Sequence, residues 1–262
     1  PTMATTLGQP AEYSTEPVMW EAYKKQREEG LTIVERLKRY WSFMPLLSVA
    51  AWRTIYISIL SMMLAILVGF IIALMRVYGN WPMRTIGTLY VEIVRGTPLL
   101  IQLLIIFYGL PNIGIQLDPI LAGVIGLGLN YGAYEAENYR AGLLSVPRGQ
   151  TEAALALGMT RRQALRHVIA PQAVRLVLPP VTNDFISLLK DSSLVSMITI
   201  IELTGAYNQL ATTYYDYFGV GLLVATIYLL IGLPFVRLAR WTEAKLTVDR
   251  NNGRPLQKKR VA

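Results

Sequence analysis

"TIYISILSMMLAILVGFIIALM", Thr54 to Met75, runs without a single charged side chain. Coiled as an α-helix at about 1.5 Å per residue, it spans the roughly 30 Å hydrocarbon core of a bilayer. Outward from it, four more apolar stretches read as spans, at about 87–111, 119–143, 168–199 and 217–238. The fold class expected is therefore an all-α membrane protein with five transmembrane helices. The chain has 262 residues, 53% of them hydrophobic, which is far above an ordinary soluble domain.

The second and fourth spans are imperfect, because Pro98 interrupts one and Pro171, Pro179 and Pro180 the other. Helices broken at membrane depth are buried in protein or line a cavity, since freed backbone groups cannot face lipid unsatisfied. Lysine and arginine set the orientation. Arg76 and Arg84 lie between spans one and two, and Arg148, Arg161, Arg162 and Arg166 between three and four. The tail is basic as well, whereas "PNIGIQLDP" and "ELTGAYNQLATTYYDY" carry no lysine or arginine. The loop at 148–167 and the C-terminus are thus expected in the cytoplasm, and the N-terminus outside.

Three regions follow: an extension over 1–50, a membrane domain over 51–243 and a basic cytoplasmic tail over 244–262. Within the extension, "LTIVERLKRYWSFMPLL" reads as an amphipathic helix on the membrane surface, anchored by aromatics. The first fifty residues lack the short apolar core of a signal peptide, so no cleaved leader is expected. The formal charge of +8 sits beside hydrophobic spans, which fits membrane topology rather than nucleic acid. With no cysteine and one histidine, thiolate metal sites, disulfides and a serine-histidine triad are excluded or disfavoured.

The polar interruption "TEAALALGMTRRQALRHVIAP", Thr151 to Pro171, reads as a compact elbow. Strong helix formers from Glu152 to Leu157 end at Gly158, which readily turns left-handed, and Thr160 caps a second helix, "RRQALRHV". Ala153, Ala154, Leu155 and Leu157 give the first helix an oily surface that asks either for a partner groove or for the membrane interface.

The spacing Glu-Ala-Ala, three residues, Gly, nine residues, then "VIAP" closely resembles the EAA loop of permeases of ATP-binding-cassette (ABC) importers, with Ala170 in place of the usual leucine. "YVEIVRGTPLLIQLLIIFYGLP" and "ISLLKDSSLVSMITIIEL" are similar to spans of the polar amino acid subfamily. The resemblance implies a type I importer permease of MetI-like fold in the bacterial inner membrane. It implies ATPase coupling through Glu152, Ala153, Ala154, Leu155, Gly158, Arg161 and Arg162. Two ATP-binding subunits, a second permease subunit, identical or homologous, a periplasmic or lipoprotein substrate-binding protein and an amino-acid substrate are the partners implied. No phosphate-binding Gly-x4-Gly-Lys-Ser/Thr loop occurs, so no cofactor is expected here, with ATP and magnesium held by the partner.

Ionisable groups at membrane depth are costly and usually functional or paired. Tyr131, Tyr134, Glu135 and Asn138 share one helical face. On the fourth span Asp184, Ser187 and Asp191 form one stripe, and Asn183 and Lys190 belong to another. Together they suit a zwitterion, with its carboxylate near Lys190 and its amino group near Glu135 or Asp184. A purely structural network is the alternative. Glu92, Arg95 and Arg140 lie near the expected cytoplasmic ends, where snorkelling or a Glu92–Arg95 pair at helical spacing suffices. An ion-coupled secondary carrier and a membrane scaffold remain as rival functions.

Overall fold

The computed structural model describes residues 32–246, which are helical with no strand among the described residues. Helix α1 covers Ile33–Tyr78. It opens on a capping box, in which the Thr32 hydroxyl accepts from the Glu35 backbone N–H and the Glu35 carboxylate from that of Thr32. Its 46 residues make a rod of about 70 Å. The expected boundary at 50/51 falls inside this rod, and the described part of the expected surface helix is its first turns. Residues 1–31 of the expected extension, and 247–262 of the basic tail, lie outside the described residues.

The second expected span is not one helix. Helix α2, Trp81–Gly96, and α3, Leu99–Leu104, meet at a bend of 104°. Pro98 is the cause: it has no N–H to donate, and it holds Thr97 extended at φ −119° and ψ 144°. The chain then passes through a π turn, Ile105–Gly109, and a 3-10 turn, Leu110–Ile113.

Helix α4, Pro119–Ser145, starts where the Asp118 carboxylate accepts from Ile120 and Leu121 N–H. Its contact with α1 is the most extensive between any two helices described. Small residues make it possible. On α1, Thr54, Ser58, Ser61, Ala65, Gly69 and Ala73 are buried at helical spacing, and Gly128 and Gly132 of α4 sit against Leu64 and Val68. A Cβ at Gly69 would press on Glu135 Cβ and lie 3.0 Å from Ala136 N.

The elbow is α5, Arg148–Ala156, and α6, Arg161–Ala164. Gly158 takes φ +84° between them, and Thr160 caps α6 through a capping box with Gln163. The second elbow helix does not end before the fourth span begins. It continues through a π turn, Leu165–Ile169, into α7, Ala170–Asp191, so the elbow and the fourth span share one rod of about 45 Å.

A 3-10 turn, Ser192–Ile198, leads to α8, Leu203–Tyr214, and then α9, Tyr217–Leu246. Helix α8 was not foreseen, since its sequence was read as a connection. Buried Glu202 caps it, accepting from the N–H of Thr204 and Gly205, both at 2.9 Å, and from the Tyr228 hydroxyl at 2.8 Å. Phe43, Leu47 and Ala50 of α1 pack on Leu203, Ala206, Leu210, Val220 and Val224, which keeps the first turns of α1 on the bundle.

Among the described residues α1 and α9 (to Trp241) are long and apolar enough to cross a membrane, and the bent α2–α3 pair makes a third if it is one span. Helices α4 and α7 are long enough too, but carry Glu135, Glu137, Arg140, Asp184, Lys190 and Asp191. Glu135 is fully buried in the bundle, where α4 packs against α1, α2, α3 and α7. Replacing Gly69 by leucine is expected to destabilise the protein by about 1–3 kcal/mol through overpacking, whereas Gly232→Ala, where a Cβ meets nothing within 4 Å, leaves the melting temperature unchanged or higher. Thermal unfolding of the two variants in detergent checks this.

Candidate functional site

The break between α2 and α3 opens a cavity of about 500 Å³. Its walls are Arg95 to Leu99 at the break, Asn130, Tyr131 and Tyr134 from α4, and Asp184, Ser187 and Asp191 from α7. The last three recur at i, i+3 and i+7, so one stripe of α7 faces the space.

The polar groups around the break are tied together. The Gln102 side-chain amide donates to Val94 O at 2.8 Å and Thr97 O at 3.2 Å, carbonyls released where the helix stops. Its own oxygen accepts from Asn130 Nδ2 at 3.1 Å, which fixes the break to α4. The Tyr131 hydroxyl donates to Asp191 Oδ2 at 2.7 Å, and Asn138 Nδ2 to Asp184 Oδ2 at 2.8 Å. The Arg95 guanidinium lies 5.0 Å from the Tyr134 ring centroid, a cation–π distance.

Of the residues singled out from sequence, Tyr131, Tyr134, Asp184, Ser187 and Asp191 line this cavity. Asn138 stands behind, orienting Asp184. Glu135 is fully buried against Gly69 rather than on the wall. Asn183 is not among the wall residues. Lys190 is not on this wall: it lines a different, mostly apolar space of about 550 Å³ between α7 and α9, with Leu189, Ser193, Tyr228 and Leu233. A helix turns 100° per residue, so neighbouring Lys190 and Asp191 point to different cavities.

The cation on the wall is Arg95, which the expected Glu92–Arg95 pair would have occupied; no such ion pair occurs among the described residues. The signal missed was the Gly96-Thr97-Pro98 run immediately after Arg95: a proline break at membrane depth lines a cavity and carries its neighbours with it. Glu137 binds Arg140 and also Arg76 of α1, the latter at 2.7 Å.

Away from the cavity, the elbow presents Glu152, Ala153, Leu155 and Leu157 outward, with Leu157 81% exposed, while Ala154 is buried. Gly158 N–H donates to Leu155 O and Met159 N–H to Ala154 O, closing α5 around the left-handed glycine. Arg161 and Arg162 are exposed at the start of the rod that ends in Asp184 and Asp191. No group of three or more His, Cys, Asp or Glu side chains able to hold a metal occurs among the described residues.

Glu137 joins α4 to α1 through the guanidinium of Arg76, only 14% exposed, and binds Arg140 within α4 as well. Glu137→Gln is expected to cost about 2 kcal/mol, as a half-buried charged hydrogen bond is lost and Arg76 is left unpaired. A fall in melting temperature, with Arg140→Ala milder because Arg140 is more exposed, is the result to look for.

Residues 65–248 match the family described as "Binding-protein-dependent transport system inner membrane component". The chain is 48% identical over 162 residues, 62% of its length and 69% of the relative's, to the L-cystine transport system permease protein TcyB of Bacillus subtilis (strain 168). Among solved structures it is similar to a chain of an amino acid ABC transporter with histidines, with TM-score 0.75 and 37% identity, covering 82% of this chain and 99% of that one. An inward-facing MetNI methionine ABC transporter gives TM-score 0.62 at 23% identity over 77% of this chain and 98% of that one, a likeness of fold. The elbow, the broken second span and these matches lead to one conclusion: the chain belongs to the family of binding-protein-dependent transport system inner membrane components.

Proposed function

We propose that this chain is the permease subunit of an ABC importer that carries polar L-amino acids across the bacterial inner membrane by alternating access. The observation that carries the reading is the cavity at the Thr97–Pro98 break, where one guanidinium and two carboxylates face the same space. A zwitterion needs both signs within a few ångströms, and a cavity of about 500 Å³ accommodates an amino acid. In this reading Arg95 takes the substrate carboxylate and Asp184 the α-ammonium, with Tyr131, Tyr134, Asn130 and Ser187 supplying hydrogen bonds and ring faces.

The energy source is a partner. The exposed face of α5 docks into a groove of an ATP-binding subunit, with Glu152, Ala153, Leu155 and Gly158 at the contact and Arg161 and Arg162 at its edge. Two such subunits, a second permease subunit and an external substrate-binding protein complete the transporter. The basic loop at 148–167 and the C-terminus face the cytoplasm by the lysine and arginine bias. Because α6, the π turn and α7 form one rod, a displacement of the elbow is transmitted along α7 to Asp184 and Asp191. ATP hydrolysis belongs to the partner, and no chemical step falls to this chain.

Two variants test the reading from its two ends. Glu152→Lys is expected to abolish co-purification with the ATPase while the chain still inserts; normal association removes α5 from the contact. Arg95→Ala is expected to weaken amino-acid binding tenfold or more, while Lys190→Ala changes it less than twofold because Lys190 faces the other space. The reverse pattern returns the substrate carboxylate to Lys190.

A further inference from the structure

Helix α1 carries an exposed apolar face that is longer than the hydrocarbon of a bilayer is thick. Leu37, Trp41, Trp52, Tyr56, Met63 and Phe70 are exposed and share one side of the helix. From Leu37 to Phe70 the face runs for about 50 Å, against roughly 30 Å of hydrocarbon. One half of it lies on the charge-free run Thr54–Met75 that crosses the membrane. The other half, Leu37 to Trp52, continues the same stripe at the end of the bundle away from the elbow.

Helix α9 fixes where the bilayer ends. Its stretch Tyr217–Trp241 is long and apolar enough to cross, at about 36 Å, and it opens on Tyr217 and on Phe218, which is 85% exposed. This start is pinned to α1. The Tyr40 hydroxyl donates to Asp216 Oδ2 at 2.7 Å, and Asp216 Oδ1 accepts from Gly219 N–H at 2.9 Å. The rings of Phe43 and Tyr214 lie 4.9 Å apart beside them. Trp41 therefore stands level with Phe218, and a bilayer that covers α9 reaches Trp41, about 20 Å beyond Thr54 along α1. A tilt of about 30° brings the length from Trp41 to Met75 within the 40–45 Å of a bilayer with its headgroups. Arg53 is the only charge in that length, and its guanidinium donates to Ile201 O at 3.1 Å.

Just past this edge the turn is basic. Arg36 and Lys38 are exposed, and Arg39 is held 5.6 Å from the Tyr214 ring centroid. Glu35, the one acid in the turn, is engaged in the capping box with Thr32. Tryptophan and tyrosine settle at the headgroup level of a bilayer, and basic side chains next to them attract anionic lipid. We propose that this end of α1 and α9 is a binding surface for anionic phospholipid, with Trp41, Tyr217 and Phe218 seated at the bilayer edge and Arg36 and Lys38 on the headgroup phosphates. The inference rests on α1 and α9 crossing the membrane and not on the substrate cavity.

The chain has no cysteine, so a single cysteine introduced into it carries one reporter. The full transporter, with cysteine-free partner subunits, is placed in nanodiscs of mixed phosphatidylcholine and phosphatidylglycerol. Spin labels at Ile33→Cys, Trp41→Cys, Val49→Cys and Phe218→Cys are read for access to oxygen and to a water-soluble nickel complex. All four side chains are exposed, so the fold is kept. Labels at 41 and 218 are expected at equal depth in the headgroup region. The label at 49 is expected in hydrocarbon, open to oxygen, with nickel access at least fivefold below that at 33. Nickel access at 41 and 49 equal to that at 33 overturns the proposal, since the face then stands clear of lipid. Shielding of 41 and 49 from both reagents overturns it as well, in favour of a protein on this face. A fluorophore at Leu37→Cys reads the headgroup. Phosphatidylglycerol with a doxyl group near its headgroup is expected to quench it at least twofold more than the matching phosphatidylcholine, and Arg36→Gln with Lys38→Gln to bring that ratio near one. Equal quenching by the two lipids before those changes, or a ratio that survives them, removes the anionic headgroup from Arg36 and Lys38.

Discussion

A backbone group at membrane depth has no water to turn to, and this constraint shapes two irregular points of the structure. Where Pro98 stops α2, the Gln102 side chain serves the carbonyls of Val94 and Thr97 and is itself held by Asn130. Where the chain re-enters a helix at Leu203, buried Glu202 receives two backbone N–H groups and a tyrosine hydroxyl. The first of these repairs builds the wall of the cavity. The break is therefore a cost already met by the fold, and the exposed polar space it leaves is what a solute can use.

The second constraint is close packing. Helices that must bring carboxylates and a guanidinium together inside lipid need rigid neighbours, and the α1–α4 contact supplies one through glycine, alanine, serine and threonine. The Arg76–Glu137–Arg140 cluster fastens the same pair of helices. Against that fixed pair, α7 is the element with a lever: it is continuous with the elbow and carries Asp184, Ser187 and Asp191 at its far end.

Much of this was legible in the residues. The charge-free run at Thr54–Met75 announced the membrane, Gly158 its left-handed turn and Thr160 its cap. The stripe of Asp184, Ser187 and Asp191 followed from helical spacing alone. Two things were not legible. Which stripe of α7 faces which neighbour depends on the rotation of the helix against α4 and α9, and that rotation moved Lys190 away from the carboxylates. Arg95 was left out of the candidate set because snorkelling or an i,i+3 partner sufficed for it in sequence, while its place on the cavity wall is set by the bend at Pro98, a feature of three dimensions. Likewise α8 hid in a polar connection because its stability comes from burial against α1 and α9 rather than from helix propensity.

The most direct test of the account is ATP hydrolysis by the transporter in liposomes, with this chain, its ATPase and its binding protein together, measured with and without amino acids. The account predicts hydrolysis stimulated by loaded binding protein, and uptake that survives collapse of the ion gradients. Amino-acid uptake that needs no ATPase and vanishes with the ion gradient would contradict it, and would make the cavity that of an ion-coupled carrier.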